Sequence, residues 1–494
     1  MSSGRLEAII RDNLNRLPAE PFIWWQKTWW SRGAFLELIE ECEERLKTSN
    51  FKKGQRLALL TPNSPILLAT AVAVWRLGGA VVLIDPRSGY TPLIRQLRHA
   101  DVFAVLTSRG CDELVPLISE DGIPCSAISL DALEDNIPGR PCEEEDPETA
   151  VIFYTSGITG EPNAVPLTHA NLLACIESCA AHIDGMLDED DVILNALPNS
   201  NAFGFVCGAL LPLVKAVRQV ILPSFMPVEA SMDAIRKAEV SIVMAVPTMV
   251  AMMVSAVMRG AVPPSKIKCV LSGADRLSCG LRRRAEQALN THVIQGYGLT
   301  EASSVVALTP GLDKSKPESV GTIISCVEAQ IRSDAGEILP AGSEGQLWVR
   351  GASVAKSYYR SPELTEGRFD ADGWFRTGDI GRFDEDGYLY LVGRMTEVIF
   401  VGGFKVYSRE VERTLEEHPA VKEAAVIGVP RSISGEIVKA FVVLRNGDKV
   451  SSKELIDYCK QKLSYYKVPR IIEFISQMPR SAIGEIVKRK LSKD

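Results

Sequence analysis

Short apolar runs alternate with longer helical patterns along most of the chain. The pattern predicts a strand over 57–60, a helix over 66–77 and a strand over 80–84, with a third strand near Val102. After an acidic connector at 143–146 it predicts a strand over 151–154 and a helix from about Thr168. Further strands are expected near Val192, Val220, Ile242 and Val270 and over 292–295. Strands that alternate with helices build parallel sheets covered on both faces, so the pattern predicts an α/β body.

Beyond about Gly311 the alternation of strands and helices gives way to short strands and turns. Short strands such as 346–350 and turns such as 372–373 and 386–387 predict a smaller antiparallel or barrel-like region. The last segment has its own strand, a helix over 410–417, two strands and a helix over 452–463, which suffices for a separate α+β domain. We therefore expect a large N-terminal domain over 1–393 and a small C-terminal domain over 394–494.

Composition and charge narrow the function. With 46% apolar and 24% charged residues the chain has ordinary globular usage, and its net charge of -7 leaves no general basic surface for nucleic acid. The longest apolar runs, 203–214 and 242–254, are shorter than the ~20 residues of a membrane span, so they predict buried helices and no transmembrane segment. Residues 1–13 lack the apolar core of a secretory signal.

Cysteine and histidine usage disfavours two further classes. The 11 cysteines include no CxxC pair and no Cys/His cluster, which argues against a zinc site or a disulfide framework and predicts a cytoplasmic protein. The five histidines lie in no recognisable nucleophile motif, so hydrolysis by a Ser–His triad is not expected.

A loop rich in hydroxyl groups and glycines follows the strand predicted over 151–154. Residues 154–162 read YTSGITGEP, and such a loop after an apolar strand offers backbone N–H groups and hydroxyl donors to an anion. No lysine follows the last glycine, so the loop differs from the GxxxxGK[ST] pattern of ordinary P-loop ATPases. The loop predicts a phosphate site, with a simple turn as the alternative.

Three further segments extend this picture. Residues 296–301 read GYGLTE at the end of a predicted strand, where open α/β sheets bind ligands. Residues 374–379 read WFRTGD, and Gly393-Arg394 is followed by GGFKV at 402–406. In their order and spacing these segments resemble the AMP-forming adenylating superfamily, which contains acyl-CoA synthetases, the adenylation domains of peptide synthetases and firefly luciferase. The resemblance covers nearly the whole chain and is strongest to acyl-CoA or acyl-carrier-protein synthetases.

The resemblance implies a nucleotide site spread over the chain. It implies that the loop residues hold the β- and γ-phosphates of ATP: Thr155, Ser156, Gly157, Thr159 and Gly160. Tyr297 matches the aromatic residue stacked on adenine, and its neighbours Gly296 and Gly298 are expected to bind the nucleotide with it. Gly273 and Ala274 match the segment that lines the adenine and acyl pocket. Thr300 would contact the α-phosphate and Glu301 would hold Mg²⁺, while Asp379 and Arg394 match the ribose-binding pair. Thr300, Glu301 and Arg394 are thus the expected catalytic residues. A core role for Tyr297, a turn at Asp379 and a surface ion pair at Arg394 are the alternatives.

The family's reaction has two steps. A carboxylate attacks the α-phosphate of ATP to give an acyl-adenylate, and a thiol of CoA or of a carrier protein's phosphopantetheine then displaces AMP. The small C-terminal domain rotates between the steps, and Gly402, Gly403 and Lys405 fall where the family closes on the pantetheine arm. The expected acyl pocket contains Asn201, Phe203, Gly273 and Ala274. Because the pocket segments are mainly apolar or small, a hydrophobic or aryl carboxylic acid is expected rather than an amino acid.

The sequence departs from the family pattern at several positions. Asn163 replaces the lysine near the end of the phosphate loop, with Ala164 where glycine is usual, and Asn201 stands where the pocket segment usually has histidine. Thr396 occupies the hinge position, where the family has Asp or Lys. Glu485 replaces the lysine that bridges the attacking carboxylate and the α-phosphate.

The change at Glu485 carries the largest expected penalty. Loss of one preorganised donor costs about 2.7–4 kcal/mol in the transition state, and a reversed charge costs more. Lys488 lies three residues on, which in an extended segment is the opposite face.

Three hypotheses follow. The first is an ATP-dependent synthetase that joins a carboxylic acid to CoA or to a carrier protein. The second is an adenylation-deficient relative that binds nucleotide or acyl-adenylate, or performs only the thioester step. The third is an unrelated α/β scaffold.

Overall fold

The structure is a computed structural model that describes most of the chain. The described residues are 4–87, 90–133, 135–144, 146–155, 163–183, 186–275, 277–395, 398–401, 404–431, 435–445, 447–463, 467–480 and 486–491. They fold into two compact units. The first unit contains residues up to Glu328 and from Val349 to Phe375; the second contains Ala329–Trp348 and the chain from Arg376.

The α-helices among the described residues are α1 (Leu6–Arg16), α2 (Arg32–Thr48), α3 (Pro65–Arg76), α4 (Tyr90–Ala100), α5 (Leu114–Glu120), α6 (His169–His182), α7 (Leu211–Lys215), α8 (Val228–Lys237), α9 (Pro247–Met258), α10 (Cys279–Leu289), α11 (Pro362–Glu366), α12 (Ser408–Glu416) and α13 (Ser452–Lys462). A π-helix spans Phe203–Leu210, and 3₁₀ turns span Thr300–Ala302 and Lys488–Lys490.

The strands are β1 (Pro21–Trp25), β2 (Thr28–Ser31), β3 (Arg56–Leu60), β4 (Ala80–Leu83), β5 (Ala104–Ser108), β6 (Cys125–Ile128), β7 (Thr149–Thr155), β8 (Asn163–Thr168), β9 (Val192–Asn195), β10 (Arg218–Ile221), β11 (Ile242–Ala245), β12 (Cys269–Ser272), β13 (His292–Tyr297), β14 (Ala307–Leu308), β15 (Thr322–Ile323), β16 (Val327–Arg332), β17 (Gly345–Gly351), β18 (Phe375–Phe383), β19 (Leu389–Arg394), β20 (Val398–Val401), β21 (Phe404–Tyr407), β22 (Val421–Arg431), β23 (Gly435–Leu444) and β24 (Ile471–Phe474).

Two large sheets organise the first unit. One has the order β15-β14-β13-β12-β11-β9-β10-β1-β2 and the other the order β6-β5-β3-β4-β7-β8. The interior strands pair in parallel, as the alternating pattern predicts. Antiparallel pairs lie toward the edges, where β1 meets β2, β7 meets β8 and β13 meets β14. The α/β fold class is therefore confirmed, with antiparallel additions that the sequence pattern did not predict.

The apolar runs that predicted buried helices behave differently. The run 203–214 is helical and buried, as a π-helix that continues into α7. The run 242–254 is not one helix: it forms the buried strand β11 up to Ala245, which confirms the strand expected near Ile242, and then α9 from Pro247, where the run is broken. Proline has no N–H to donate, which suits the first position of a helix, so Pro247 marks the division. The predicted third strand near Val102 lies slightly later, as β5.

The sequence pattern missed the elements that precede α2. Leu6, Ile10 and Leu14 recur every four residues and form the buried stripe of α1. β1 and β2 form an antiparallel hairpin in which Trp24 and Trp25 are almost fully buried. These tryptophans therefore belong to the core.

Two smaller sheets account for most of the second unit. The order β16-β17-β18-β19 forms one sheet, with β18 and β19 antiparallel, which confirms the predicted β-rich region. The other sheet has the order β21-β20-β23-β22, with β24 beside β23, and packs apolar residues with α12 and α13. The helices predicted over 410–417 and 452–463 are α12 and α13. The predicted domain boundary between residues 393 and 394 stays a prediction.

In the described part of the chain, none of the helices has the length and apolar character required to span a membrane.

Candidate active site

The predicted acyl-pocket residues of the first unit meet at the carboxyl ends of β11 and β12. Gly273 follows β12, and its N–H donates to the Ala245 carbonyl at the end of β11 (3.0 Å). The Phe203 ring, at the start of the π-helix, lies 3.0 Å from where a Cβ on Gly273 would be. The next residue, Ala274, is exposed and has a φ of +66°. Phe203, Gly273 and Ala274 are therefore brought together, as the sequence predicts.

Asn201 has a local structural role in addition to its predicted place in the pocket. Its side-chain carbonyl accepts from Phe203 N (3.1 Å), which caps the start of the π-helix. A buried amide network, which sequence reasoning missed, holds the preceding residues: Asn63 accepts from Asn199 N (2.8 Å) and donates to Leu197 O (2.7 Å). These bonds fix the backbone on which Asn201 and Phe203 sit.

Tyr297 ends β13, and a tight turn follows it. A Cβ on Gly298 would lie 1.5 Å from the Ser304 carbonyl oxygen, so only glycine fits there. Ser304 N donates to Leu299 O (3.1 Å), and Ser303 and Ser304 adopt positive φ values of 55° and 100°. Gly296 and Tyr297 pair with β14, which places Tyr297 at the same end of the sheet as Gly273.

Glu301 lies in the 3₁₀ turn Thr300–Ala302 that follows. Its carbonyl accepts from Ala355 N (2.7 Å), and its carboxylate accepts from the Tyr358 hydroxyl (2.6 Å). Tyr358 is buried, and burial is the main cause of a tyrosine pKa raised above the usual range; the negative charge of Glu301 is the second cause. The Tyr358 hydroxyl therefore keeps its proton at neutral pH. Sequence reasoning missed Tyr358, because no motif connects it with Glu301.

The donor set around Glu301 fits magnesium held together with a nucleotide. Among the described residues no group of three or more His, Cys, Asp or Glu side chains could hold a metal ion alone. Mg²⁺ is usually held by one or two carboxylates together with substrate phosphates. A single carboxylate beside Thr300, the residue expected from the resemblance to contact the α-phosphate, suits that mode of binding.

The phosphate loop is described only at its two ends. Thr155 ends β7 and pairs with Asn163 at the start of β8, with Thr155 Oγ1 3.5 Å from Asn163 O. Ala164 is buried, and its carbonyl accepts from Tyr359 N (2.8 Å). Ser156, Gly157, Thr159 and Gly160 lie outside the described residues.

The predicted ribose pair lies in the second unit. Asp379 and Arg394 face each other across β18 and β19, with Arg394 Nε 3.4 Å from Asp379 Oδ1. Thr377 Oγ1 accepts from Asp379 N (3.0 Å), which fixes the backbone of the turn at Gly378. Arg394 is 65% exposed against 15% for Asp379, so the guanidinium is the accessible partner.

Lys488 is held within the second unit. Its Nζ donates to Ser408 Oγ (2.9 Å) and lies 2.8 Å from the buried carboxylate of Glu412. These bonds engage its ammonium group in this arrangement. Lys405 lies on β21. Gly402, Gly403, Thr396 and Glu485 lie outside the described residues.

Comparison with known proteins agrees with this arrangement. Residues 10–359 match the family described as AMP-binding enzyme, and residues 410–485 match the AMP-binding enzyme C-terminal domain. The chain belongs to the AMP-binding enzyme family. The resemblance stated from the motifs is therefore confirmed.

Relatives of this AMP-binding enzyme include CoA ligases for different acids. A long-chain-fatty-acid–CoA ligase from Bacillus subtilis is 30% identical over 98% of this chain and 94% of its own length. A 2-succinylbenzoate–CoA ligase from Bacillus licheniformis is 32% identical over 92% of this chain and 94% of its own length. The structure of o-succinylbenzoate coenzyme A synthetase from Bacillus subtilis with ATP and magnesium ion is similar, with a TM-score of 0.85, 27% identity and coverage of 98% and 99%.

Proposed function

We propose that this AMP-binding enzyme is an AMP-forming acid–thiol ligase that activates a carboxylic acid with ATP and transfers the acyl group to a thiol. One observation carries the proposal: Gly273, Tyr297 and Glu301 lie at the carboxyl ends of neighbouring strands β12 and β13, where α/β sheets bind ligands. The unrelated-scaffold hypothesis does not account for the match to the AMP-binding family over both parts of the chain.

In the proposed first step the site holds ATP for attack at its α-phosphorus. Tyr297 stacks on adenine, Thr300 donates to the α-phosphate, and the loop from Thr155 holds the outer phosphates. Asp379 accepts from the ribose hydroxyls, with Arg394 beside it. Positioning of this kind converts a bimolecular attack into an effectively intramolecular one. Glu301 would hold Mg²⁺ together with the phosphates, and the ion would supply neutralisation of phosphate charge.

The proposed substrate is a hydrophobic or aryl carboxylic acid. The Phe203 ring and the α-carbon of Gly273 offer an apolar wall, and Met244 at the end of β11 is buried. An acyl chain or aryl ring gains by leaving water for such a surface, whereas an amino acid would need a carboxylate for its ammonium group.

CoA is the proposed acyl acceptor, with a carrier protein's phosphopantetheine as the alternative. The relatives named above are CoA ligases, which supports CoA. Gly402, Gly403 and Lys405 are the proposed contacts for the pantetheine arm, which both acceptors share. A cytoplasmic location, supported by 11 free cysteines, stays a prediction.

The test is mass spectrometry of the full-length protein incubated with ATP, Mg²⁺ and a pooled set of aliphatic and aryl acids. Parallel reactions contain CoA, a phosphopantetheinylated carrier protein, or neither. Acyl-AMP without acceptor and acyl-CoA with CoA are expected, and the product mass identifies the acid. Absence of both products with every acid would contradict the proposal. If thioester forms only on the carrier protein, the carrier protein and not CoA is the acyl acceptor.

A further inference from the structure

Residues 352–359 run across the predicted catalytic elements of the first unit. Asn171 Nδ2, on the first turn of α6, donates to Ala352 O (2.7 Å), and Ser303 Oγ donates to Ser353 O (2.7 Å). At the other end, Tyr359 N donates to Ala164 O just after the phosphate loop. The segment is therefore anchored on both sides of the position where it meets Glu301.

Tyr358 is the side chain of this segment that reaches the Glu301 carboxylate. Its hydroxyl lies 2.6 Å from Glu301 Oε1, and only 4% of the residue is exposed. The rings of Phe369 and Phe375 pack edge-on against the phenol, with centroid distances of 6.1 and 6.4 Å. Packing fixes the ring, so the hydroxyl oxygen is held beside the Glu301 carboxylate.

We propose that Tyr358 is a positioning residue that orients the Glu301 carboxylate for the magnesium–nucleotide complex. The proposal rests on the function proposed above for Glu301. Hydrogen bonds to a metal-binding carboxylate fix its orientation and set its affinity for the ion. Loss of the hydroxyl removes one of the bonds that orient the carboxylate, and ordering it again on binding costs free energy.

The test compares Tyr358→Phe with the parent protein in calorimetric titrations with α,β-methylene ATP, with and without Mg²⁺. Loss of the hydroxyl is expected to weaken binding of the magnesium form about 10-fold, the lower end for residues that hold metal ligands. Binding of the metal-free nucleotide should stay unchanged. In the adenylation assay the variant should need more Mg²⁺ for half-maximal rate and should recover at saturating Mg²⁺.

Tyr90→Phe is the matched control. Tyr90 also donates its hydroxyl to a carboxylate, at Asp121 Oδ2 (2.8 Å), but on the exposed surface of α4. This variant should bind both nucleotide forms as the parent does. If Tyr358→Phe binds the magnesium form as tightly as the parent, or weakens both forms equally, the proposal is wrong. A variant without a cooperative unfolding transition would also overturn it, because the bond would then serve folding.

A double-mutant cycle separates this inference from the function on which it rests. Glu301→Gln should weaken binding of the magnesium form, and Tyr358→Phe should add nothing in that background, because the two groups act through one contact. If Glu301→Gln leaves binding unchanged, the proposed role of Glu301 fails. If Glu301→Gln weakens binding but Tyr358→Phe does not, only the role of Tyr358 fails.

Discussion

The turn that carries Glu301 requires glycine at position 298, where the side chain is a single hydrogen atom. The Ser304 carbonyl oxygen occupies the space where any other residue would have its Cβ. Gly298→Ala must therefore displace the turn, at a cost of about 1–3 kcal/mol or more. We expect loss of nucleotide binding with the rest of the fold retained, measured by calorimetry and circular dichroism. Gly110→Ala is the control, because Gly110 has open space where a Cβ would lie and, like Gly298, no positive φ. Unchanged binding in Gly298→Ala would contradict the argument.

Lys488 illustrates a buried charge pair whose loss destabilises the second unit. Glu412 is almost fully buried and accepts from Val426 N (2.8 Å) as well as from Lys488. Removal of Lys488 takes away one countercharge but leaves Arg409, whose Nη1 lies 3.3 Å from Glu412 Oε2, so Lys488→Ala should cost about 1.5–3 kcal/mol. Urea unfolding measures the change, and Lys490→Ala, at an exposed position of the same 3₁₀ turn, should be neutral. Equal stabilities of the two variants would show that the pair contributes nothing.

At the residue scale the sequence predicts functional residues that lie in motifs and misses residues that reach the site only because the chain folds. Phe203 lies against Gly273, and Asp379 pairs with Arg394 across β18 and β19; all four residues are predicted from segments of the sequence. Tyr358 is 57 positions from Glu301, and only the fold brings the two side chains together. For Asn201, the pocket motif predicts its location but not its use as a helix cap.

At the element scale, His169 joins the N-terminal helix α1 to the first turn of α6. The imidazole is 2% exposed, and Arg5 Nη2 lies 3.3 Å from its Nε2. Burial, aided by the charge of Arg5, lowers the pKa of His169 to about 3. Because the unfolded chain binds this proton and the folded chain does not, stability falls as pH drops below the unfolded pKa of 6.5.

The expected loss is about 1.4 kcal/mol per pH unit between the two pKa values of His169. Burial raises the pKa of Glu7, which acts in the opposite sense, because its protonated form is favoured in the folded chain. Urea unfolding of the parent and of His169→Gln from pH 6.5 to pH 5 tests the prediction: the variant should lose most of the slope. Glu7→Gln should make the slope steeper, because it removes the opposing proton uptake and a carboxylate 3.6 Å from the imidazole. Parallel pH profiles of parent and His169→Gln would be incompatible with a neutral buried imidazole.

The sequence predicts an element correctly where the apolar residues of that element define it, and fails where pairing with a distant strand determines the structure. The interior strands and the helices α6, α12 and α13 follow directly from runs of apolar residues and their caps. The run 242–254 is apolar apart from Thr248, so periodicity alone does not place the boundary between the strand β11 and the helix α9. β8, the antiparallel partner of β7, follows the phosphate loop. Because Pro166 lies within it, its sequence does not predict a strand.

At the scale of the whole molecule, Glu485 is expected to set the rate of adenylation relative to the rate of thioester formation. The family's lysine at this position serves adenylation and is not used in thioester formation, so its replacement is expected to slow the first step alone. Glu485→Lys should accelerate adenylation about 100-fold or more, since one preorganised donor to developing negative charge is worth that much. Pyrophosphate release measures this step, and thioester formation from supplied acyl-adenylate should stay the same.

Glu485→Gln separates removal of the negative charge from addition of the positive one, and it should give an intermediate rate of adenylation. Adenylation in Glu485→Lys together with none in the parent would favour the adenylation-deficient hypothesis, in which the native protein acts on acyl-adenylate made elsewhere. Equal rates in parent, Gln and Lys proteins would mean that position 485 no longer takes part in the first step. Another cation must then approach the α-phosphate, and Lys488 is a poor candidate because Glu412 and Ser408 already bind its ammonium group.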